Sequence, residues 1–458
     1  MERALDTTQG STDVTRRLAE LASGMTFERL PATAVEVAKQ CLLDWLGVTL
    51  AGAQEPLVQK LLDFAAADGL GDKATLIGLN ARGTASQAAL INGSAGHALD
   101  YDDCLRALKG HPTAPVAPVV FAVAERDGAS GRDLLTAFVA GVEAEARVGM
   151  LMGDGHYLNG WHSTATNGTY GAAAAAARLL GLDGAATSTA FGIAGTQAAG
   201  LKASFGTMCK PLHAGKAAMN GLLAAELAAR GFTGRDDILE CNQGYGFTQT
   251  DSYDEAAALD DLAGHFWTPN VLFKYHAACY GTHAGIESAG AIRQHPAFDL
   301  AKIERIDVTA PSRTMNMCNI PEPTTGLEVK FSHRHTTAMA LTGEPTGDPA
   351  LYDEKTASRP DLVALRGKVS VGGDDSVGPN ETHLTVHMSD GTVIREQRDM
   401  AIPNTDLKDQ WNKLESKFRA LATPIIGVAN TERAITIVAE LEQRDSVQDL
   451  LDACAKPV

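Results

Sequence analysis

Residues 161–184 read WHSTATNGTYGAAAAAARLLGLDG, and the run from Ala172 to Ala177 is unbroken alanine. Alanine is the strongest helix former, and a helix that is apolar on nearly every side has no face to give to water. Such a helix belongs in the interior, stopped where Gly181 and Gly184 break the pattern. It needs close-packing neighbours, and the chain supplies them on both sides. Upstream lie VTRRLAELA (14–22), ATAVEVAKQCLLDWLGVTLAG (32–52), TASQAALINGSAGHAL (84–99) and DLLTAFVAGVEAEARVGMLMG (133–153); downstream lies HAGKAAMNGLLAAELAARGF (213–232). Each carries apolar residues at three- and four-residue spacing, the period of a helix.

The texture changes after about residue 266. IERIDVTAP (303–311), LRGKVSVGG (365–373) and ETHLTVHM (381–388) alternate as strands do, and SDG joins the last to TVIREQRDM (392–400) as a hairpin. A helix is expected around KFSHRHTTAMAL (330–341). From about 405 the helical pattern returns in DLKDQWNKLESKFRALA (406–422), TERAITIVAELEQ (431–443) and VQDLLDAC (447–454). With 458 residues the chain is too long for one ordinary core. The expected fold is mainly α with an α+β lid. A large all-helical domain, residues 1–266 and 405–458, is formed by both termini, and a smaller α+β domain, 267–404, is inserted between them.

Against 39 Lys+Arg stand 56 Asp+Glu, a net charge of −17. An acidic chain without a dense basic run is a poor partner for nucleic acid or an anionic membrane, although a few converging cations still suit a small acid. No window is long and apolar enough to span a bilayer, and residues 1–17 lack the apolar core of a secretory signal. The 7 cysteines are odd in number, scattered and without CxxC, unlike a disulfide framework or a structural zinc site. The expected location is the cytoplasm.

Four segments concentrate polar groups. HALDYDDCLRALKGHPTAPV (97–116) holds His97, Asp100, Asp102, Asp103 and His111. Its acids read as a solvated loop, a helix-end cluster, a cation site or catalytic carboxylates; neither DxDxDG nor HExxH is present to favour metal. His111-Pro112 should stand just ahead of a helix N-terminus. In the second segment His162 precedes hydroxyls and a buried helix, a place that suits a carboxylate, although ordinary capping by Ser163 or Thr164 is the plainer reading. FGTMCKPLHAGKAA (205–218) offers Lys210 in a loop entering a helix, with His213 and Lys216 on it. LFKYHAACYGTHAG (272–285) offers Lys274, His276, Cys279 and His283; Cys279 reads more readily as an inert cysteine than as a nucleophile. There is no phosphate loop, dinucleotide fingerprint or serine elbow.

The order HALDYDD, HP, WHSTATNGTYGAAAAAA, KPLHAGKAA, FKYHAACYGTH resembles the MmgE/PrpD family, which includes 2-methylcitrate dehydratases, cis-aconitate decarboxylases and iminodisuccinate epimerases. The resemblance spans nearly the whole chain and implies the same two-domain fold, commonly as a homodimer. It implies no metal and no organic cofactor, and a small di- or tricarboxylate as substrate. Carried over by position, the pocket includes Asp100, His111, His162, Lys210 and Lys274. Cys104, Cys279 and His283 stand among the substrate-contacting positions; Cys104 replaces a frequent threonine, and Cys279 stands where some relatives have cysteine and the decarboxylase has histidine. Met317 stands where decarboxylases place a lid tyrosine.

The implied chemistry removes a proton from carbon next to a carboxylate. Lys210 and Lys274 neutralise the carboxylate, His162 donates a hydrogen bond, and His111 is the base, oriented by Asp100. Dehydration is the leading expectation, epimerisation next with Lys210 or His162 as the second acid/base, and decarboxylation last. An organic-acid-binding protein without turnover and a helical scaffold are the readings from other classes.

Overall fold

The computed structural model describes residues 13–262 and 264–455. The N-terminal 1–12 of the stretch read above against a secretory signal lies outside them. The chain divides into two units, Met1–Val271 with Ala422–Val458, and Leu272–Leu421.

In the first unit the helices run α1 (Val14–Ser23), α2 (Ala32–Gly52), α3 (Pro56–Ala67), α4 (Ala85–Gly96), α5 (Thr113–Asp127), α6 (Gly131–Leu158), α7 (Ser163–Leu179), α8 (Gly184–Gly195) and α9 (Cys209–Ala229), followed by the short α10 (Tyr245–Gln249) and α11 (Glu255–Leu259). Between α3 and α4 a two-stranded ladder, β1 (Ala74–Thr75) against β2 (Arg82–Gly83), interrupts the otherwise helical unit. The alanine helix α7 is central: every residue from Ser163 to Ala177 is buried. It packs on α5, α6, α8 and α9. Alanine and glycine permit that closeness. A Cβ placed on Gly221 of α9 would meet the Ala172 Cβ at 2.4 Å and the Ala173 backbone nitrogen at 2.6 Å. The helix stops where Gly181 takes φ 68°, a left-handed conformation that glycine adopts at no steric cost, and Asp183 then caps α8 through the Ala186 N–H.

In the second unit come α12 (Tyr280–Arg293), β3 (Ile303–Ala310), α13 (Gly326–Lys330), α14 (His333–Thr342), α15 (Glu354–Ala357), α16 (Pro360–Arg366), β4 (Val369–Gly373), β5 (Glu381–Met388) and β6 (Val393–Asp399). The sheet order is β4-β3-β5-β6, with β3 and β4 parallel and the other pairs antiparallel. In register, Val308 pairs with Val371 and with Leu384. Thr382, Leu384, Val386 and Met388 turn inward on β5 while the residues between them are half-exposed, and α12 covers β5 and β6. The Ser389-Asp390-Gly391 hairpin is as read, with Gly391 at φ 87°. One reading needed revision. Leu365 and Arg366 of LRGKVSVGG end α16, whose start is set by Pro360, so the strand begins only at Val369. The two helices expected over 406–443 are present, running together as α17 (Leu407–Ala439) but separated at Gly427, whose φ of 76° and ψ of 163° are not helical. The last helix is α18 (Gln448–Ala453). Among the described residues no helix is long and apolar enough to cross a membrane.

Candidate functional site

The HALDYDD segment leaves α4 at His97, the helix's C-terminal cap, and runs to His111, two residues before α5. Leu105 and Gly110 pair across a tight turn, which closes the loop so that His111 is delivered beside the start of α7. There the His111 N–H donates to Thr164 Oγ1 at 3.0 Å. Asp103, buried, accepts from the Thr113 N–H at 3.3 Å and the Thr113 hydroxyl at 2.5 Å, which ties the loop to the first turn of α5.

Two carboxylates flank the His111 ring. Asp102 Oδ2 lies 3.2 Å from Nδ1, and Asp100 Oδ1 lies 3.5 Å from Nε2. Asp100 sits at φ 50°, an uncommon conformation for a residue with a Cβ. The Asp102 side chain is fully buried, whereas that of Asp100 is 54% exposed. A salt bridge of 2.9 Å joins Lys210 Nζ to Asp100 Oδ1. The orienting role expected of Asp100 therefore falls geometrically to Asp102, which holds Nδ1 and leaves Nε2 toward Asp100 and Lys210. Cys104 Sγ is 3.9 Å from His111 Nδ1.

Burial works against the Asp102 charge, but His111 and His97 outweigh it and hold the carboxyl well below its usual range. His97 contacts it through Nδ1 at 2.9 Å. Burial pushes Asp103, which lies behind the site, up to about 7, aided by the nearby Asp44 and Asp102 charges and opposed by the Thr113 hydrogen bond.

His162 is the N-terminal cap residue of α7, and its Nδ1 lies 3.1 Å from His213 Nδ1 on α9. Burial, reinforced by His97, His111, His213 and Lys210, pushes the His162 imidazolium down to about 2. Held this way the ring is neutral and suited to hydrogen bonding. Ser163 and Thr164 are not caps as expected. They are the first helical residues; Thr164 accepts from His111, and Ser163 Oγ is buried without a partner among the described residues. Lys210 is not in a loop either, but in the first turn of α9, with its ammonium 5.3 Å above the Phe205 ring. The starts of α5, α7 and α9 thus meet around one imidazole. Their dipoles favour an anion.

One ligand atom each from His97, Asp100, Asp102 and His111 falls within 4.8 Å of the others, close enough to ask about a cation. The donor atoms are instead turned on one another. Asp102 is shared by two imidazoles, and Asp100 already faces the Lys210 ammonium. In this arrangement protons and an ammonium balance the acids, and an imidazole so held can take or give a proton.

The other expected residues belong to the second unit. Lys274 is buried, and its carbonyl accepts from Lys417 Nζ at 2.8 Å. Cys279 caps α12, with its sulfur 3.3 Å from that of Cys318. His283 is fully buried, and its Nε2 contacts the Ala278 carbonyl at 3.1 Å. His97, Asp102 and His213 were named in their motifs but given no role. The available signal was HALDYDD itself, where a histidine and an acid five residues apart bracket a helix end.

The MmgE/PrpD N-terminal domain model matches residues 16–256, and the MmgE/PrpD C-terminal domain model matches residues 276–443. The chain is 28% identical over 449 residues to the cis-aconitate decarboxylase of Mus musculus, covering 94% of this chain and 91% of that one. It is 34% identical over 304 residues to the cis-aconitate decarboxylase-like protein oryM of Aspergillus oryzae, 62% of each chain. It is 26% identical over 475 residues to the cis-aconitate decarboxylase of Aspergillus terreus, covering 97% and 96%.

Proposed function

The chain belongs to the MmgE/PrpD family, and from that premise we propose that it is a lyase that moves a proton at carbon next to a carboxylate of a small di- or tricarboxylic acid. The observation that carries this reading is the His111 ring, held at Nδ1 by the buried Asp102 and turned at Nε2 toward Asp100 and Lys210. A carboxylate on Nδ1 requires the ring proton there, which leaves Nε2 to take or give a proton. Lys210 is positioned to receive a substrate carboxylate in exchange for Asp100, and the three helix starts add positive field.

Decarboxylation of an acid of the cis-aconitate type is the first reaction to test, because the relatives above carry that name. In that step the bond to the departing carbon dioxide breaks, its electron pair forms the new double bond, and the former alkene carbon takes a proton from His111. Dehydration, the reaction that leads from sequence, stays as the second reading. Met317 is exposed in the second unit where the resemblance puts a tyrosine in decarboxylases. There His111 would take the proton from the carbon next to a carboxylate, the freed electron pair would form the double bond, and the β-hydroxyl would leave as water by taking up that proton from His111.

The test is turnover of cis-aconitate, 2-methylcitrate and iminodisuccinate by the purified protein, by its His111→Ala variant and by its Asp102→Asn variant. We expect product from one acid and a loss of about 100- to 10,000-fold in His111→Ala, the usual scale of a general acid or base. Near-normal turnover by His111→Ala would remove the proton carrier from the reading. Unchanged acids throughout would remove the reaction.

A further inference from the structure

His97 closes the C-terminal end of α4, and its side chain is buried beneath the His111 ring. Its Nδ1 lies 2.9 Å and 3.1 Å from the two oxygens of Asp102, one of which is also 3.2 Å from His111 Nδ1. The two imidazoles stand edge to face with centroids 4.6 Å apart. One buried carboxylate thus serves two rings, only one of which opens toward Asp100 and Lys210.

A carboxylate removed from water keeps its charge only where donors replace the water, and a single imidazole leaves most of its acceptor sites empty. We infer that His97 is a positioning residue for the proposed proton transfer: its Nδ1–H holds Asp102 in place against His111. The inference rests on His111 being the proton carrier. The tautomer follows from the surroundings. His97 Nε2 is buried and has no partner among the described residues, so a proton there would be stranded, whereas a proton on Nδ1 meets a carboxylate. Burial also pushes the His97 imidazolium down to about 4, with Asp102 pulling the other way, so the ring carries a single proton at neutral pH. A neutral second imidazole donates to Asp102 without adding a charge that would compete with His111 for it.

Two substitutions separate this role from mere filling of space. His97→Asn keeps an N–H at the position of Nδ1; His97→Leu keeps bulk and removes the donor. We expect His97→Leu to lower kcat about 10- to 100-fold, the usual effect of losing a partner one step behind a reacting group, with KM changed less than about 3-fold. We expect His97→Asn to retain kcat within about 3-fold of the parent. A kcat near the parent's in His97→Leu, or an Asn variant as impaired as the Leu variant, overturns the inference. Should His97→Leu fail to fold, nitrogen NMR of histidine-labelled parent protein at pH 7 decides, with His97 identified by the signal missing from His97→Asn. A ring protonated on Nδ1 supports the inference, and one protonated on Nε2 overturns it. The spectra need no turnover. A protein inert toward every acid would therefore lose the proposed reaction, while the His97–Asp102 bond would still be judged separately.

Discussion

Asp100 and Asp102 are two positions apart and meet opposite nitrogens of one imidazole, yet their surroundings make them different acids. Asp102 is sealed between two histidine rings; Asp100 is in water and beside an ammonium. Asp103, the next residue, is different again. Its carboxyl lies up at about 7, first because it is buried. A folded value above the ordinary one of 3.8 means that the native state holds the proton more tightly than the unfolded chain. The stability from this group is complete below the unfolded value and is lost as pH rises through about 7. Asp103→Asn should therefore flatten the decline in Tm between about pH 4 and pH 7 relative to the parent. Parallel Tm curves for the two proteins would place the titration elsewhere. The segments holding His111, His162 and Lys210 stood out in the sequence as polar groups ahead of apolar helices, and the family resemblance named these three as pocket residues. The sequence could not say which of three adjacent acids turns toward the ring, since that depends on the backbone turn at Asp100, where φ is 50°.

At the scale of elements, the first unit depends on small residues where helices cross. Gly221→Ala would set a methyl against the backbone of Ala173 and the Thr169 carbonyl, both under 3 Å away and neither free to swing aside. Overpacking of this kind costs about 1–3 kcal/mol, so a chemical-denaturation midpoint should fall measurably. An unchanged midpoint would mean that α7 and α9 are not in the contact described. In the second unit the polar centre is Glu287, which accepts from His276 at 3.2 Å and from Lys413 at 3.0 Å. Burial resists its charge, but these two partners outweigh it and hold the carboxyl at about 2. A depressed carboxyl gives stability that is present above its ordinary 4.5 and lost as pH falls through about 2. Glu287→Gln should thus lose stability at neutral pH and show a shallower acid transition than the parent. Equal acid transitions would contradict the pairing. The helices over 14–22, 32–52 and 133–153 were legible because the 3.6-residue period repeats through several turns in each. The start of β4 was not, because Leu365 and Arg366 continue an alternation that Pro360 has already committed to helix.

For the whole molecule, the sequence supplied the mainly helical class, the smaller α+β portion with its hairpin, and the family. The four motifs lie far apart in the chain, and only packing of α4, α5, α7 and α9 brings three of them to one imidazole. Spacing along a chain carries no such information. The Lys210 ammonium beside Asp100 leads us to expect that dialysis against EDTA leaves turnover unchanged; loss of activity that a divalent ion restores would return the His97–Asp100–Asp102–His111 group to the reading of a cation site. The most direct test of the central claim is proton NMR of the reaction run in D₂O with the acid that turns over. A decarboxylated product should carry solvent deuterium at the former alkene carbon, whereas a dehydrated one should have lost a hydrogen from the carbon next to a carboxylate; either reaction should run about 100-fold or more slower with Asp102→Asn, which keeps the shape of the acid and removes the charge that supports His111. Decarboxylation without deuterium at the former alkene carbon, or equal rates in the parent and Asp102→Asn with whichever acid turns over, would contradict a proton carried by the His111–Asp102 pair.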